Sequence, residues 1–129
     1  MSHQSTIELE IRDMASLRNA VAEMGLELLQ DAMQRTFYGQ QKAQYVIKLK
    51  GPYDIGVTAE SNGNVTLSTD WWGGSVAKEV GEGYGKLMQL YGVNKAMAEA
   101  KRKGLTVTRT VNADGSIRLK VEGQQLRAM

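Results

Sequence analysis

Apolar and polar residues alternate along several stretches of this chain, beginning with residues 5–12, STIELEIR. The isoleucines and the leucine of that stretch fall on one side and its charged residues on the other, which is the period of a strand buried on one face. Residues 44–50, QYVIKLK, and 53–60, YDIGVTAE, repeat the pattern, and a further strand is expected around residues 26–33. These patterns predict a fold rich in strands.

Two hairpins are expected from their turn residues. The Asn62-Gly63 pair in SNGN supplies positive backbone angles for a tight turn, and NVTLSTDWW is then the return strand. Near the end of the chain, GLTVTRTVNADGSIRLKVEG predicts a second hairpin whose NADG loop suits a turn closed by a glycine bulge at Gly115.

Helical spacing of apolar residues predicts one helix after Asp13, which can cap it, and Gly25 is placed to end it. A second helical region ends at Lys103. A continuous helix from Ser75 would be about 43 Å long, and the glycines near its start each cost about 1 kcal/mol within a helix. We therefore expect the regular helix at residues 85–103, with Gly92 as a kink.

The predicted order is β-α-β-β-β-β-α-β-β. Consecutive hairpins make the sheet mostly antiparallel, and one apolar face per strand places both helices on the same side. The expected fold class is α+β, a two-layer sandwich with roughly six to seven strands and two helices on one face, formed by a single domain over residues 1–129.

Composition narrows the chemistry. The chain has no cysteine, so disulfides, thiolate metal sites and thiol nucleophiles are excluded. Its 16 basic and 14 acidic residues give a formal charge of +2, which lacks the concentrated basic patch typical of phosphate-backbone binding, so nucleic acid is not indicated. No membrane span and no secretory leader is apparent, and a cytoplasmic location is expected.

Catalytic chemistry is not indicated. His3 is the one histidine and lies in a terminus expected to fray. The glycines of VGEGYGKL, residues 80–87, match neither the P-loop nor the dinucleotide motif and are typical of a flexible lead into a helix. The carboxylates are scattered over strand and helix faces. No enzyme activity, cofactor or metal is therefore predicted.

The stretch STDWWGGSV contains the best candidates for a binding surface. Strand alternation places Trp71 on the core side and Trp72, beside Asp70, on the face without helices. An exposed tryptophan is a typical interface hot spot, and packing of Trp72 under the following loop is the alternative. The candidate binding residues are Asp70, Trp72, Gly73, Gly74 and Lys86.

Three functions follow from these candidates. The first is a non-enzymatic adaptor that binds a protein partner through its open sheet face and the 70–83 loop. The second is a small-ligand or nucleotide-binding protein that uses the glycine-rich segment 73–86. The third is single-stranded nucleic-acid binding on the open sheet face, which needs more aromatic residues than Trp72 alone. A homo-oligomer formed through the open sheet edges is compatible with all three.

The segments MSHQSTIELEIRDMASLRNAV, YDIGV, DWWG and YGVNKAMAEAKRKG, together with NADGSIRL, resemble the chloroplast hypothetical frame 35 family, also called domain of unknown function 1257. Many relatives have Tyr-Ala-Tyr-His where this chain has Tyr91-Gly92-Val93-Asn94. The family occurs in cyanobacteria and plastids, so the resemblance also implies the plastid stroma as a location. It implies an accessory role beside AAA-type ATPases, and no established activity.

Overall fold

The computed structural model describes residues 4–123, with side chains from Ile11 onward. Within that range, seven strands and three α-helices follow one another along the chain. In chain order they are β1 (Gln4–Ile11), α1 (Met14–Glu23), β2 (Glu27–Thr36), β3 (Gly39–Lys48), β4 (Ile55–Ala59), β5 (Val65–Asp70), α2 (Ser75–Val80), α3 (Gly85–Arg102), β6 (Thr106–Val111) and β7 (Ile117–Glu122).

The strands form two antiparallel sheets. Five of them make one sheet in the order β1-β5-β4-β3-β2, and β6 pairs only with β7. The α+β fold with antiparallel sheets is thus confirmed, and α2 is a short addition to the expected element order. The seven strands do not share one sheet, because the β6–β7 hairpin, here called the C-terminal ribbon, packs against α3 instead of extending the larger sheet.

Local signals place the helix ends where the sequence predicts them. The Asp13 carboxylate accepts a hydrogen bond from the Ser16 amide at 3.2 Å and caps α1. Gly25 takes a φ of 73°, and the Leu26 amide returns to the Val21 carbonyl at 3.1 Å. Helix α3 continues without interruption through Gly92, so the kink expected there is absent.

The turn of the C-terminal ribbon also matches its prediction. Gly115 has a φ of 89° and closes the loop with a hydrogen bond from its amide to the Asn112 carbonyl. The loop at 61–63 uses the same geometry: Gly63 has a φ of 91° while Asn62 stays at negative φ. The β4–β5 turn is therefore a three-residue loop with a glycine bulge rather than a two-residue turn.

The main core lies between the five-stranded sheet and the helices. Alternate residues of the central strands, among them Ile55, Val57 and Leu67, are fully buried against α1 and α3. Trp71 packs at the margin of this core, as the alternation predicts. No helix in the described part of the chain is both long enough and apolar enough to cross a membrane.

The distal half of the β2–β3 hairpin, residues 32–43, leaves the plane of the sheet and is here called the arm. Asp31, at its base, has a φ of 51°, and the pairing of β2 with β3 skips that position. Gln44 of β3 is skipped as well, so the register is unchanged and the hairpin has a kink at Asp31, where the left-handed φ turns the residues that follow. Leu28 accordingly packs on the helix-side core, whereas Gln34 lies over Gly56 on the opposite face.

Two buried aspartates hold the arm against the sheet. The Asp54 carboxylate accepts from the Arg35 amide at 2.9 Å, and the Asp70 carboxylate accepts from the Phe37 amide at 2.7 Å. Amides two residues apart lie on the same edge of a strand, so these carboxylates cap the outer edge of β2. The face without helices is therefore not open at this end, which corrects the expectation of an open sheet face.

Candidate functional site

Three exposed aromatic residues lie at the end of the sheet where the arm returns, and we call Phe37, Tyr38 and Trp72 the aromatic end. Their exposed fractions are 47%, 75% and 48%. The Phe37 and Tyr38 rings meet edge to face with centroids 5.1 Å apart. Trp72 follows Asp70 by two residues, and Asp70 is bonded to the Phe37 amide. The aromatic end therefore combines two segments distant in sequence.

On the β2 strand of the arm, a polar side chain faces the sheet and an apolar one faces outward. Gln34, facing the sheet, is buried and donates to the carbonyls of Ser68 at 3.1 Å and Asp54 at 3.4 Å. Met33, the preceding residue, is 46% exposed. This is the reverse of an ordinary surface hairpin, in which the apolar side faces the core. Exposed apolar residues on such a rigid support are characteristic of interaction sites.

Asp54 is the centre of the contacts that hold the arm. It is fully buried, and its carboxylate accepts from the Arg35 guanidinium at 2.7 and 3.0 Å, from the Lys48 ammonium at 3.2 Å and from the Leu49 amide at 3.1 Å. Burial by itself would raise the pKa of Asp54, but the hydrogen bonds led by Arg35 outweigh it and hold that pKa below its usual value. Asp54 is therefore a charged structural anchor.

Trp71 is held in a structural position. Its ring meets that of Tyr84 edge to face, with centroids 4.9 Å apart. Tyr84 is fully buried, takes a left-handed φ of 66°, and has a hydroxyl with no hydrogen-bond partner. Burial raises the pKa of Tyr84 far above its usual range, so this hydroxyl stays neutral. The pair attaches the glycine-rich segment to the core.

Cations predominate among the exposed charges of this end. Asp54, in the β3–β4 connection, and Asp70, at the end of β5, are buried, and Glu79 of α2 accepts from the Lys50 and Gly51 amides at 2.8 and 2.9 Å. Glu82, just beyond α2, is exposed. Lys42, Lys50 and Lys78 are exposed, whereas Arg35 and Lys48 are partly buried and paired with Asp54.

The structure separates the five residues proposed from the sequence. Trp72 is exposed, as expected, whereas Asp70 is buried beneath the arm. Gly73 and Gly74 are exposed at φ values of 80° and 78° and lead into the short helix α2. Lys86 lines a different cleft, between α3 and the turn of the C-terminal ribbon, and none of the other four residues lines it. The glycine-rich segment and Lys86 are thus not one assembled pocket.

Sequence reasoning missed Phe37 and Tyr38. The available signal was TFYG, two aromatic residues followed by a glycine with a φ of 119° at a hairpin turn. Aromatic residues at a loop tip are unusual unless they pack or bind. Alternation could not show that these two rings lie on the same end of the sheet as Trp72, because that depends on the kink at Asp31 and on the bond between Phe37 and Asp70.

Three further features concern His3, metal-ion ligands and an aromatic platform for nucleic acid. His3 lies outside the described residues. Among residues 11–123, whose side chains the structure describes, no three histidine, cysteine or acidic side chains are grouped so that they could hold a metal ion. On the described central strands, the helix-free face has no aromatic platform, since positions such as Val46, Gly56 and Ser68 occupy it.

Comparison with known proteins identifies one family. Neither the curated proteins nor the solved structures include a match to this chain. A family model described as Protein of unknown function (DUF1257) matches residues 20–120, which span α1 through most of β7 and so include the arm, the aromatic end and the C-terminal ribbon. Because that match covers well over half of the sequence, the chain belongs to the DUF1257 family.

Proposed function

We propose that this protein is a non-enzymatic binding module that engages a protein partner through the aromatic end. The observation that carries the proposal is the exposure of Phe37, Tyr38 and Trp72 at one end of the sheet, where Asp54 and Asp70 bind the hairpin that bears Phe37 and Tyr38. Aromatic residues on a preorganised support bind with little loss of conformational freedom, which is why they are frequent hot spots.

Exposed apolar residues along β2 favour a protein partner. Met33, in the arm, and Leu29, before it, are both exposed. Aliphatic side chains gain from burial against another apolar surface, whereas nucleic-acid bases bind chiefly by stacking on aromatic rings. An accessory role beside an AAA-type ATPase, which the family resemblance implies, is one form that such a partnership would take.

Site-specific photo-crosslinking tests this proposal. A benzophenone amino acid is placed at Tyr38, at Trp72 and, as a control, at Val111, which is 68% exposed on the C-terminal ribbon. We expect a reproducible crosslinked protein, identified by mass spectrometry, from the first two positions and not from the third. Equal crosslinking from all three, or none from any, would contradict the proposal.

Alanine variants separate binding from folding. Trp72→Ala should leave the free energy of unfolding within about 0.5 kcal/mol of the wild type and weaken binding of the crosslinked partner by about 2 kcal/mol or more. Trp71→Ala removes the ring packed on Tyr84 and should cost about 2–4 kcal/mol of stability, since Trp71 is only partly buried. Chemical denaturation and calorimetry measure the two quantities.

A second candidate function is supported by the charge at the same end. Lys42 is an exposed cation on the same hairpin as the exposed rings of Phe37 and Tyr38, and cations on the same surface as exposed rings are typical of single-stranded nucleic-acid binding. Fluorescence anisotropy with labelled oligothymidine at low and moderate salt distinguishes nucleic-acid binding from protein binding. Tight, salt-sensitive binding that both Tyr38→Ala and Lys42→Gln weaken would show that the partner is nucleic acid and not a protein.

A further inference from the structure

We propose that the cleft between α1, α3 and β6, here called the ribbon cleft, binds a small carboxylic acid with an apolar body. The cleft has a volume of about 540 Å³, within the range of roughly 300–1,000 Å³ usual for small-molecule sites. It is separate from the aromatic end, and none of its lining residues belongs to the arm.

One wall of the ribbon cleft is apolar. Met97 on α3 and Leu105 and Val107 at the start of the C-terminal ribbon line it, and all three are only partly buried. Val107 pairs across the ribbon with Val121, which is itself exposed. The ribbon therefore presents apolar surface that α3 does not cover, and an aliphatic or aromatic ligand body would remove that surface from water.

The polar side of the ribbon cleft is formed by Lys101, Asn19 and Asn94, of which Lys101 and Asn94 lie on the same face of α3 as Met97. Lys101 is exposed, and the ion pairs among the described residues do not include it. Arg109, the neighbouring cation on the ribbon, is bound to Glu23 at 2.6 Å. Lys101 is thus the cation left available to a ligand at this site.

A hydrogen-bond network fixes the Asn94 side chain on the polar side of the ribbon cleft. The Asn94 amide nitrogen donates to Glu23 at 2.7 Å and to the Leu90 carbonyl at 2.9 Å, which uses both of its hydrogens. Glu23 also accepts two hydrogen bonds from Arg109, at 2.6 and 3.2 Å. Side chains fixed before binding give a site more selectivity than mobile ones.

The number of cations defines the charge of the ligand. A single ammonium, with the Asn19 amide also lining the cleft, matches one carboxylate, because a phosphate or a dicarboxylate would leave a second negative charge unpaired. A carboxylate at Lys101 with its body along Met97, Leu105 and Val107 satisfies both sides of the ribbon cleft at once.

The test uses hexanoate as the probe, with acetate and 1-hexanol as controls, on the full chain labelled with ¹⁵N. Acetate retains the charge without the body, and hexanol retains the body without the charge. We expect hexanoate alone to produce saturable amide shifts, concentrated at Asn94–Lys101 and Leu105–Val107. Lys101→Gln should raise the hexanoate Kd by about tenfold or more.

Lys103→Gln is the matched control, since it removes an exposed cation two residues away that does not line the ribbon cleft. It should leave the hexanoate Kd unchanged. The proposal is overturned if hexanoate gives no saturable shifts, if hexanol binds equally well, if both glutamine variants weaken binding alike, or if the shifts map to the cleft at Lys86 and Ile117.

Discussion

Gly56 is the residue that lets the arm lie flat on the sheet. A Cβ at this position would meet the Gln34 side-chain oxygen and lie 2.9 Å from Gln34 Cδ. The Gln34 amide cannot withdraw freely, because it donates to the carbonyls of Asp54 and Ser68 and accepts from Gln41. One glycine in a central strand thus sets the distance between arm and sheet.

Gly56→Ala should therefore destabilise the protein by about 1–3 kcal/mol through overpacking. Gly92→Ala is the matched control: Gly92 lies within α3, and a Cβ there would meet nothing within 4 Å. That change should stabilise by about 1 kcal/mol because alanine favours the helix. Urea unfolding of both variants measures the difference, and a Gly56→Ala protein as stable as the wild type would show that the arm does not rest on this residue.

At the same scale, strand alternation was informative for the two tryptophans and misleading for Asp70. Trp71 packs on the core and Trp72 is exposed, as the pattern predicts. Alternation also places Asp70 on the face without helices, which is correct, but it cannot show that another part of the chain covers that face. Burial of Asp70 depends on a bond to Phe37, 33 residues earlier in the chain.

The arm is the element whose position defines the candidate site. Within the arm, β2 pairs regularly with β3, so the hydrogen bonds between these two strands do not direct the arm onto the sheet. The direction comes from the kink at Asp31 and from the two carboxylates that cap the β2 edge. Capping also protects an edge strand from pairing with other chains.

Because the pKa of Asp54 lies below its usual value, the anchoring of the arm should depend on pH. The stabilisation is fully present above the unfolded-state pKa, about 3.9, and is lost as the pH falls through the lower folded-state pKa. Asp54→Asn should cost about 2–4 kcal/mol at pH 7, since Arg35 and Lys48 lose their shared acceptor.

Urea unfolding of the wild type and of Asp54→Asn between pH 7 and pH 2.5 tests this dependence. The stability difference between them should be constant above about pH 5 and should shrink below about pH 4. Tyr38 side-chain signals, followed by NMR, should report the loosening of the arm in the same acidic range. A difference that does not change with pH would show that the Asp54 charge plays no part in anchoring.

At the scale of the whole molecule, the C-terminal ribbon is the least secured unit. It makes no backbone pairing with the five-stranded sheet and is attached by apolar contacts and the Arg109–Glu23 ion pair, whose side chains are 29% and 31% exposed. A two-stranded hairpin is marginal by itself, and a partly exposed ion pair adds only about 0–1 kcal/mol.

Hydrogen exchange should therefore be faster in the C-terminal ribbon than in β4 and β5. Arg109→Ala should increase exchange at Val107 and Leu119 while changing the global free energy of unfolding by less than about 1 kcal/mol. Mass spectrometry of deuterium uptake in the wild type and the variant measures both regions. Equal protection of ribbon and central strands would mean that the ribbon unfolds only with the whole domain.

Much of the fold was determined by the sequence alone. The cap at Asp13, the helix end at Gly25, the start of α3 at Gly85 and the bulge turn at Gly115 all depend on a few neighbouring residues. Such features are local because caps and turns are satisfied by backbone groups within about five positions. Apolar alternation likewise predicted which face of the central strands meets the helices.

Only the tertiary structure decided where the arm and the C-terminal ribbon lie. The strand pairing is interrupted at Asp31, and beyond this point the side chains of the arm face the other way. The bond between Phe37 and Asp70 then covers Asp70, an expected site residue. The same bond brings Phe37 and Tyr38, which the sequence did not indicate, to the end of the sheet that carries Trp72. A periodic pattern specifies the faces of an element, whereas hydrogen bonds between segments far apart in sequence decide which face is covered and which remains available to a partner.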